Sequence, residues 1–136
     1  MLMKNFIIII QLEFLLLLLF LLLQELLLLF LLLQLPQLNG IVVAVSSQDA
    51  FWQTLPVFDH PKIRVIEGGR ERCDSVLNGL DALDEYLQPL DWILVHDAAR
   101  PCVDLRDVEE LIEKLEDHLV GGILGVPVSD TVKRLN

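Results

Sequence analysis

From Phe6 to Leu35 the chain is almost wholly isoleucine, leucine and phenylalanine, interrupted only by Gln11, Glu13, Gln24, Glu25 and Gln34. Few structures accept such a tract. In a bilayer, about 20 leucines at about −0.3 to −0.6 kcal/mol apiece together outweigh one acidic residue at about +3 kcal/mol, so a membrane helix is one reading. A signal peptide fits less well, because the apolar run exceeds an ordinary h-region and no small-x-small cleavage pattern follows it. In a second reading Phe6–Ile10 is a buried strand and Phe14–Leu33 a helix packed on the sheet, although a helix apolar on every face is hard to leave in water. In the third, the tract is low-complexity sequence joined to a gene fragment by a frame error or a faulty start. We take the third as the expectation because of the motifs that follow; the composition changes near Pro36–Gly40, and everything beyond has the variety of a globular domain.

The sequence therefore divides into residues 1–40, a leucine-rich, low-complexity or membrane-like tract, and residues 41–136, a partial domain. About 100 residues can bury one modest core. The net charge of −10 argues against a nucleic-acid or anionic-membrane surface, which needs clustered lysine and arginine. Cys73 and Cys102 form neither a CxxC nor a zinc-type spacing, so they suit a reducing cytosol. The expected location is cytoplasmic, with membrane association through residues 6–35 as the alternative.

Ile41–Val45, Ile63–Ile66 and Trp92–Val95 are short apolar, β-branched runs and read as buried strands. Val76, Leu80, Leu83 and Leu87 recur at helical spacing between Asp74 and Leu87. Asp104 can cap a helix with an inward stripe of Val108, Leu111, Ile112, Leu115 and Leu119, ended by Gly121-Gly122 before a strand at Ile123–Val126. The alternation implies an α/β domain with a parallel sheet wrapped by helices. Ligands of such sheets bind beyond the carboxyl ends of the strands, which places Gly68–Asp74, His96–Pro101 and Val128–Lys133 on one rim.

Each rim segment has a chemical and a plain structural reading. Gly68-Gly69 leads into a helix start whose free N–H groups suit an anion or a base edge; alternatively it is a tight turn capped by Asp74 or Ser75. Asp97 is suited to a hard cation such as Mg²⁺ and Arg100 to a phosphate; alternatively the two form a structural ion pair. Asp130-Thr131-Val132-Lys133 offers a hydroxyl and an ammonium, or is a solvated loop.

Read together, Gly68-Gly69…Arg72…Ser75-Val76-Leu77-Asn78-Gly79-Leu80, Val95-His96-Asp97-Ala98-Ala99-Arg100-Pro101 and Pro127-Val128…Asp130-Thr131…Lys133 resemble the methylerythritol phosphate cytidylyltransferase family in order and spacing. The resemblance covers Ile41–Asn136 and implies a Rossmann-like nucleotidyltransferase sheet with helices on both faces, here incomplete. It implies that Gly69, Ser75 and Ala98 contact the nucleotide, the first two at the cytosine, and that Asp97 binds Mg²⁺ beside the triphosphate. Ala98, Arg100 and Thr131 would line the site for methylerythritol phosphate. The implied reaction is attack of the substrate phosphate on the α-phosphorus of CTP with release of pyrophosphate, driven by positioning and charge stabilisation. His60, His96 and His118 gain no catalytic role and read as packing or surface residues.

The family opens with a strand, a glycine-rich AAGxGxRM loop and a PKQ segment whose Arg and Lys stabilise the pentavalent phosphate. Here no glycine precedes Gly40 and Lys4 is the only lysine or arginine in the first 60 residues, so no catalytic residue of that loop is retained. Family members form homodimers through an arm that lies beyond the position of Asn136, together with a later substrate-binding Arg and a Lys. The expectation is an impaired cytidylyltransferase. The alternatives are a pentitol phosphate cytidylyltransferase, which shares fold and mechanism, and a membrane-anchored, non-catalytic remnant.

Overall fold

The structure, a computed structural model, describes residues 6–11, 20–49, 51–98, 100 and 102–127. It divides into two compact units, Met1–Cys102 and Val103–Asn136. In the first, β1 (Phe6–Gln11), β2 (Leu38–Val45), β3 (Ile63–Glu67) and β4 (Trp92–Asp97) form one sheet in the order β3-β2-β1-β4. Every pairing is parallel. Helix α1 (Phe20–Leu32) links β1 to β2, and α2 (Arg72–Asp81) links β3 to β4.

The apolar tract thus contributes a strand to the sheet interior. Ile9 stands opposite Val42 on one side and Val95 on the other, and Ile8, Ile9 and Ile10 are each no more than 1% exposed. An all-apolar run suits this position because a strand inside a parallel sheet is covered on both faces. Burying each isoleucine contributes about 1.5–3 kcal/mol. Alternation turns Ile9 and Val42 to one face and Ile8, Ile10, Ile41 and Val43 to the other.

The first face is packed by α2. Ile9, Val42 and Leu83 form a buried cluster joined by Ile66, Leu80, Leu87 and Ile93. At Gly79 the helix lies against Ile9: a Cβ there would sit 3.0 Å from both Cδ1 and Cγ2 of Ile9. The expected helix from Asp74 to Leu87 is shorter at its end: after Asp81 the chain tightens into turns, with Tyr86 N–H donating to Leu83 O at 2.8 Å. Leu83 and Leu87 still reach the core. Arg64 Nη1 donates to Ala82 O at 2.7 Å and its guanidinium lies 5.4 Å from the Tyr86 ring centroid, so β3 holds the end of α2.

The chain steps from β1 to β2 in one direction and from β3 to β4 in the other, so right-handed crossovers put α1 and α2 on opposite faces. Leu28, Leu29 and Leu32 of α1 are buried, whereas Leu27 and Phe30 are exposed, as an all-apolar helix with one packed face requires. No helix among the described residues is long and apolar enough to cross a membrane.

In the second unit, α3 (Leu105–Leu115) starts as expected at Asp104, whose carboxylate accepts from Arg106 N–H at 2.9 Å. It ends a turn earlier than the apolar stripe suggests, leaving Leu119 fully exposed. Gly121 takes the left-handed φ of 104°. The strand expected at Ile123–Val126 does not form: these residues are irregular, with Ile123 and Val126 each 90% exposed. β-branched runs become strands only against a paired neighbour, and none pairs with this one among the described residues.

Candidate functional site

Strand order locates the site before any side chain does. The chain runs outward from β1 to β3 and returns to the far side of β1, so the topological switch point lies between β1 and β4. Gln11 and Asp97 are register partners at the carboxyl ends of these two strands. The crevice therefore opens at the carboxyl ends of β1 and β4, beside the loop after β4. Residues 12–19 lie outside the described residues.

Asp97 is the chemical centre of the β4 loop. Arg72 Nε donates to its Oδ1 at 2.6 Å, and Arg100 Nε lies 3.4 Å from its Oδ2. The Arg72 hydrogen bond is the main reason its carboxyl is held below the usual 3.8, with partial burial opposing. The loop is closed locally: Arg100 N–H donates to Asp97 O at 3.0 Å, and His96 Nε2 lies 2.9 Å from Arg100 O. A carbonyl only accepts, so Nε2 carries the proton in this contact. His96, read from sequence as packing or surface, braces the loop. Ala98 is buried within it at 5% exposure.

The β3 turn is built around Ser75. Its Oγ accepts from Gly69 N–H at 2.9 Å and is placed to donate to Glu71 O at 3.3 Å, and the residue is 1% exposed. Glycine is required at Gly69, since a Cβ there would lie 2.1 Å from Asp74 Cβ and 2.9 Å from Ser75 N. The cap differs from both sequence candidates. Glu71 is the N-cap of α2, Asp74 at N3 accepts from Glu71 N–H at 3.0 Å, and Ser75 is a turn further in. Asn78 Nδ2 donates to Glu67 O at 3.2 Å and ties α2 back to β3.

The structure brings Gly69 and Ser75 together, and separately Asp97, Ala98 and Arg100. Thr131 lies outside the described residues. The link between the two groups is Arg72, which shares α2 with Ser75 and bonds Asp97. Sequence reasoning gave Arg72 no role. Its partner lies 25 positions away, and only the strand order that returns β4 beneath the start of α2 brings them together.

A family profile described as 2-C-methyl-D-erythritol 4-phosphate cytidylyltransferase matches residues 21–136. The enzyme of that name from Vibrio vulnificus (strain YJ016) is 50% identical over 101 residues, 74% of this chain and 43% of the relative. That from Salmonella newport (strain SL254) is 48% identical over 99 residues, 73% of this chain and 40% of the relative. The chain spans about two fifths of the length of these curated relatives. A crystal structure of 4-diphosphocytidyl-2C-methyl-D-erythritol synthase superposes with a TM-score of 0.78 at 31% identity, covering 98% of this chain and 64% of that one. A second such synthase, from Anaerococcus prevotii DSM 20548, shares the fold at a TM-score of 0.65 and 18% identity, covering 85% of this chain and 52% of that one. With the profile matching most of its length, the chain belongs to the 2-C-methyl-D-erythritol 4-phosphate cytidylyltransferase family.

Proposed function

We propose that this chain carries the nucleotide- and substrate-facing half of a cytidylyltransferase site, for transfer of CMP from CTP to 2-C-methyl-D-erythritol 4-phosphate with release of pyrophosphate. The observation that carries this reading is Asp97, set between Arg72 and Arg100 at the switch point of the sheet. Gly69 and Ser75 hold the turn that meets the cytosine, and Ala98 lies beside Asp97 on the nucleotide side. Arg100, 79% exposed in its side chain, and Thr131 are the groups for the methylerythritol phosphate. The same reading carries a cytoplasmic location and the homodimer of the family.

The donor set fits Mg²⁺ arriving with a nucleotide. Among the described residues no group of three or more His, Cys, Asp or Glu could hold a metal by itself, and a hard cation needs only one or two carboxylates when substrate phosphates supply the rest. Asp97 is that carboxylate. Bound there, Mg²⁺ would supply charge neutralisation at the phosphates; Asp97 would orient it and Arg100 would bind the second phosphate.

Turnover by this chain is strongly impaired in the same proposal. The residues after β1, Leu12–Leu19, contain no glycine, lysine or arginine. Loss of a charge-stabilising group of that kind typically costs about 100- to 1000-fold. The test is pyrophosphate release by the purified chain from CTP with methylerythritol phosphate, beside an intact homologue and with a pentitol phosphate as the alternative acceptor. Weak turnover confined to methylerythritol phosphate supports the reading; a preference for the pentitol phosphate, or a rate near the homologue's, refutes its substrate or its impairment respectively.

A further inference from the structure

The three groups in direct contact at the β4 loop do not balance in charge. Two guanidiniums, Arg72 and Arg100, face one carboxylate, Asp97, so the cluster carries one net positive charge in a chain whose overall charge is −10. Their attachments differ. Arg72 makes a 2.6 Å hydrogen bond to Oδ1 from the first turn of α2, whereas Arg100 lies 3.4 Å from Oδ2 and its side chain is 79% exposed. Arg72 is thus the fixed partner and Arg100 the displaceable one.

We propose that Arg72 is a positioning residue that makes the Asp97 loop charge-selective: it admits a divalent cation as an anionic metal–triphosphate complex and disfavours the bare cation. The proposal rests on the reading of Asp97 as the metal-facing carboxylate. With Oδ1 held by Arg72, Oδ2 is the oxygen that meets an incoming complex, which also draws Arg100 away towards phosphate. A bare divalent cation meets a cluster of its own sign. The complex brings negative charge that both guanidiniums favour.

Neutralising Arg72 therefore has opposite effects on two ligands, which loss of structure alone would not produce. Removing one positive charge about 5 Å from a divalent cation tightens its binding about tenfold in a solvated, salt-screened setting, and weakens an anionic complex by a similar factor. The experiment uses the full chain with Arg72→Gln and Arg72→Lys, circular dichroism confirming that each is folded. Mn²⁺ broadening of the Asp97 and Arg100 amide signals reports the bare cation. Shifts of the same amides with Mg²⁺–tripolyphosphate report the complex. Arg72→Gln is expected to tighten the first and weaken the second, each about tenfold, with Arg72→Lys close to the parent on both. Weakening of both, change in neither, a lysine variant that behaves as the glutamine one, or a parent loop that responds to neither probe overturns the proposal. Replacing tripolyphosphate by CTP separates it from the functional reading: if Gly69 and Ser75 do not respond to the cytosine, that reading fails while the charge selectivity stands.

Discussion

Replacing Gly79 with alanine tests whether the apolar tract is part of the folded core. On an exposed helix face the substitution stabilises by about 1 kcal/mol, because glycine is the poorer helix former by that amount. At Gly79 the new methyl would lie 3.0 Å from two carbons of Ile9, itself 1% exposed and fixed between Val42 and Val95. Overpacking of this kind costs about 1–3 kcal/mol, so the expected result is a net loss of about 1 kcal/mol. The companion is Ile9→Ala, which alone costs about 2–5 kcal/mol as a cavity mutation. In that background the methyl has room, and Gly79→Ala is expected to stabilise by about 1 kcal/mol or more. Urea unfolding of the four chains closes the cycle, with a coupling of about 2 kcal/mol between the two sites, within the range for residues in contact. If Gly79→Ala stabilises the parent as it would an exposed helix, Ile9 does not lie under α2 and β1 is not in the sheet.

The polar groups of the two loops and the α3 cap give three more expected outcomes. Ser75→Ala removes the acceptor of the Gly69 N–H and is expected to cost about 1–3 kcal/mol by urea unfolding; an unchanged midpoint would show that the hydroxyl is not holding the turn. Gly69→Ala, with no room for its Cβ, is expected to be more damaging than Gly68→Ala, whose Cβ would meet nothing nearer than 3.2 Å, in the same assay. Arg106 holds Asp104 at about 2 against an ordinary 3.8, so the folded form binds this proton less readily than the unfolded. Its contribution to stability is therefore complete above pH 3.8 and lost as pH falls through about 2, and Asp104→Asn is expected to flatten that part of the acid profile followed by circular dichroism.

What could be read ahead of the structure depended on whether a signal was local. The runs that became β3 and β4, and the stripe that became α2, announce themselves through β-branching and periodicity. The Asp104 cap is a single-residue signal and formed where expected. Phe6–Gln11 carried no such information: a strand, a buried helix and a membrane span all accept an unbroken apolar run, and periodicity cannot separate them. Its place was decided by pairing with β2 and β4. Glutamate is not among the favoured N-capping residues, and only the reciprocal Asp74 bond identifies Glu71 as the cap. Arg72 was invisible for a different reason. Its role depends on which strand returns beneath the start of α2, a property of sheet order rather than of spacing. Ile123–Val126 shows the converse, local strand propensity with no paired neighbour among the described residues.

Two requirements on β1, its sheet role and the chemistry at its carboxyl end, are separable, and the strand meets the first. Its sheet role needs backbone pairing on both edges and apolar area on both faces, which isoleucine supplies as well as any sequence can. Catalysis in a nucleotidyltransferase depends instead on the loop at the strand's carboxyl end: glycines that let backbone N–H groups approach phosphate, and cations that stabilise charge developing in transfer. Those groups are polar and conformationally specialised, and leucine can imitate neither property. Opposite Gln11, β4 ends in Asp97 with both guanidiniums against it, whereas in sequence the stretch from Leu12 to Leu19 has Glu13 as its only charged residue. Stability and turnover are therefore expected to respond independently: truncating Ile8, Ile9 or Ile10 is expected to lower the urea midpoint, whereas a glycine- and lysine-bearing replacement of residues 12–19 is expected, under the proposed function, to raise pyrophosphate release.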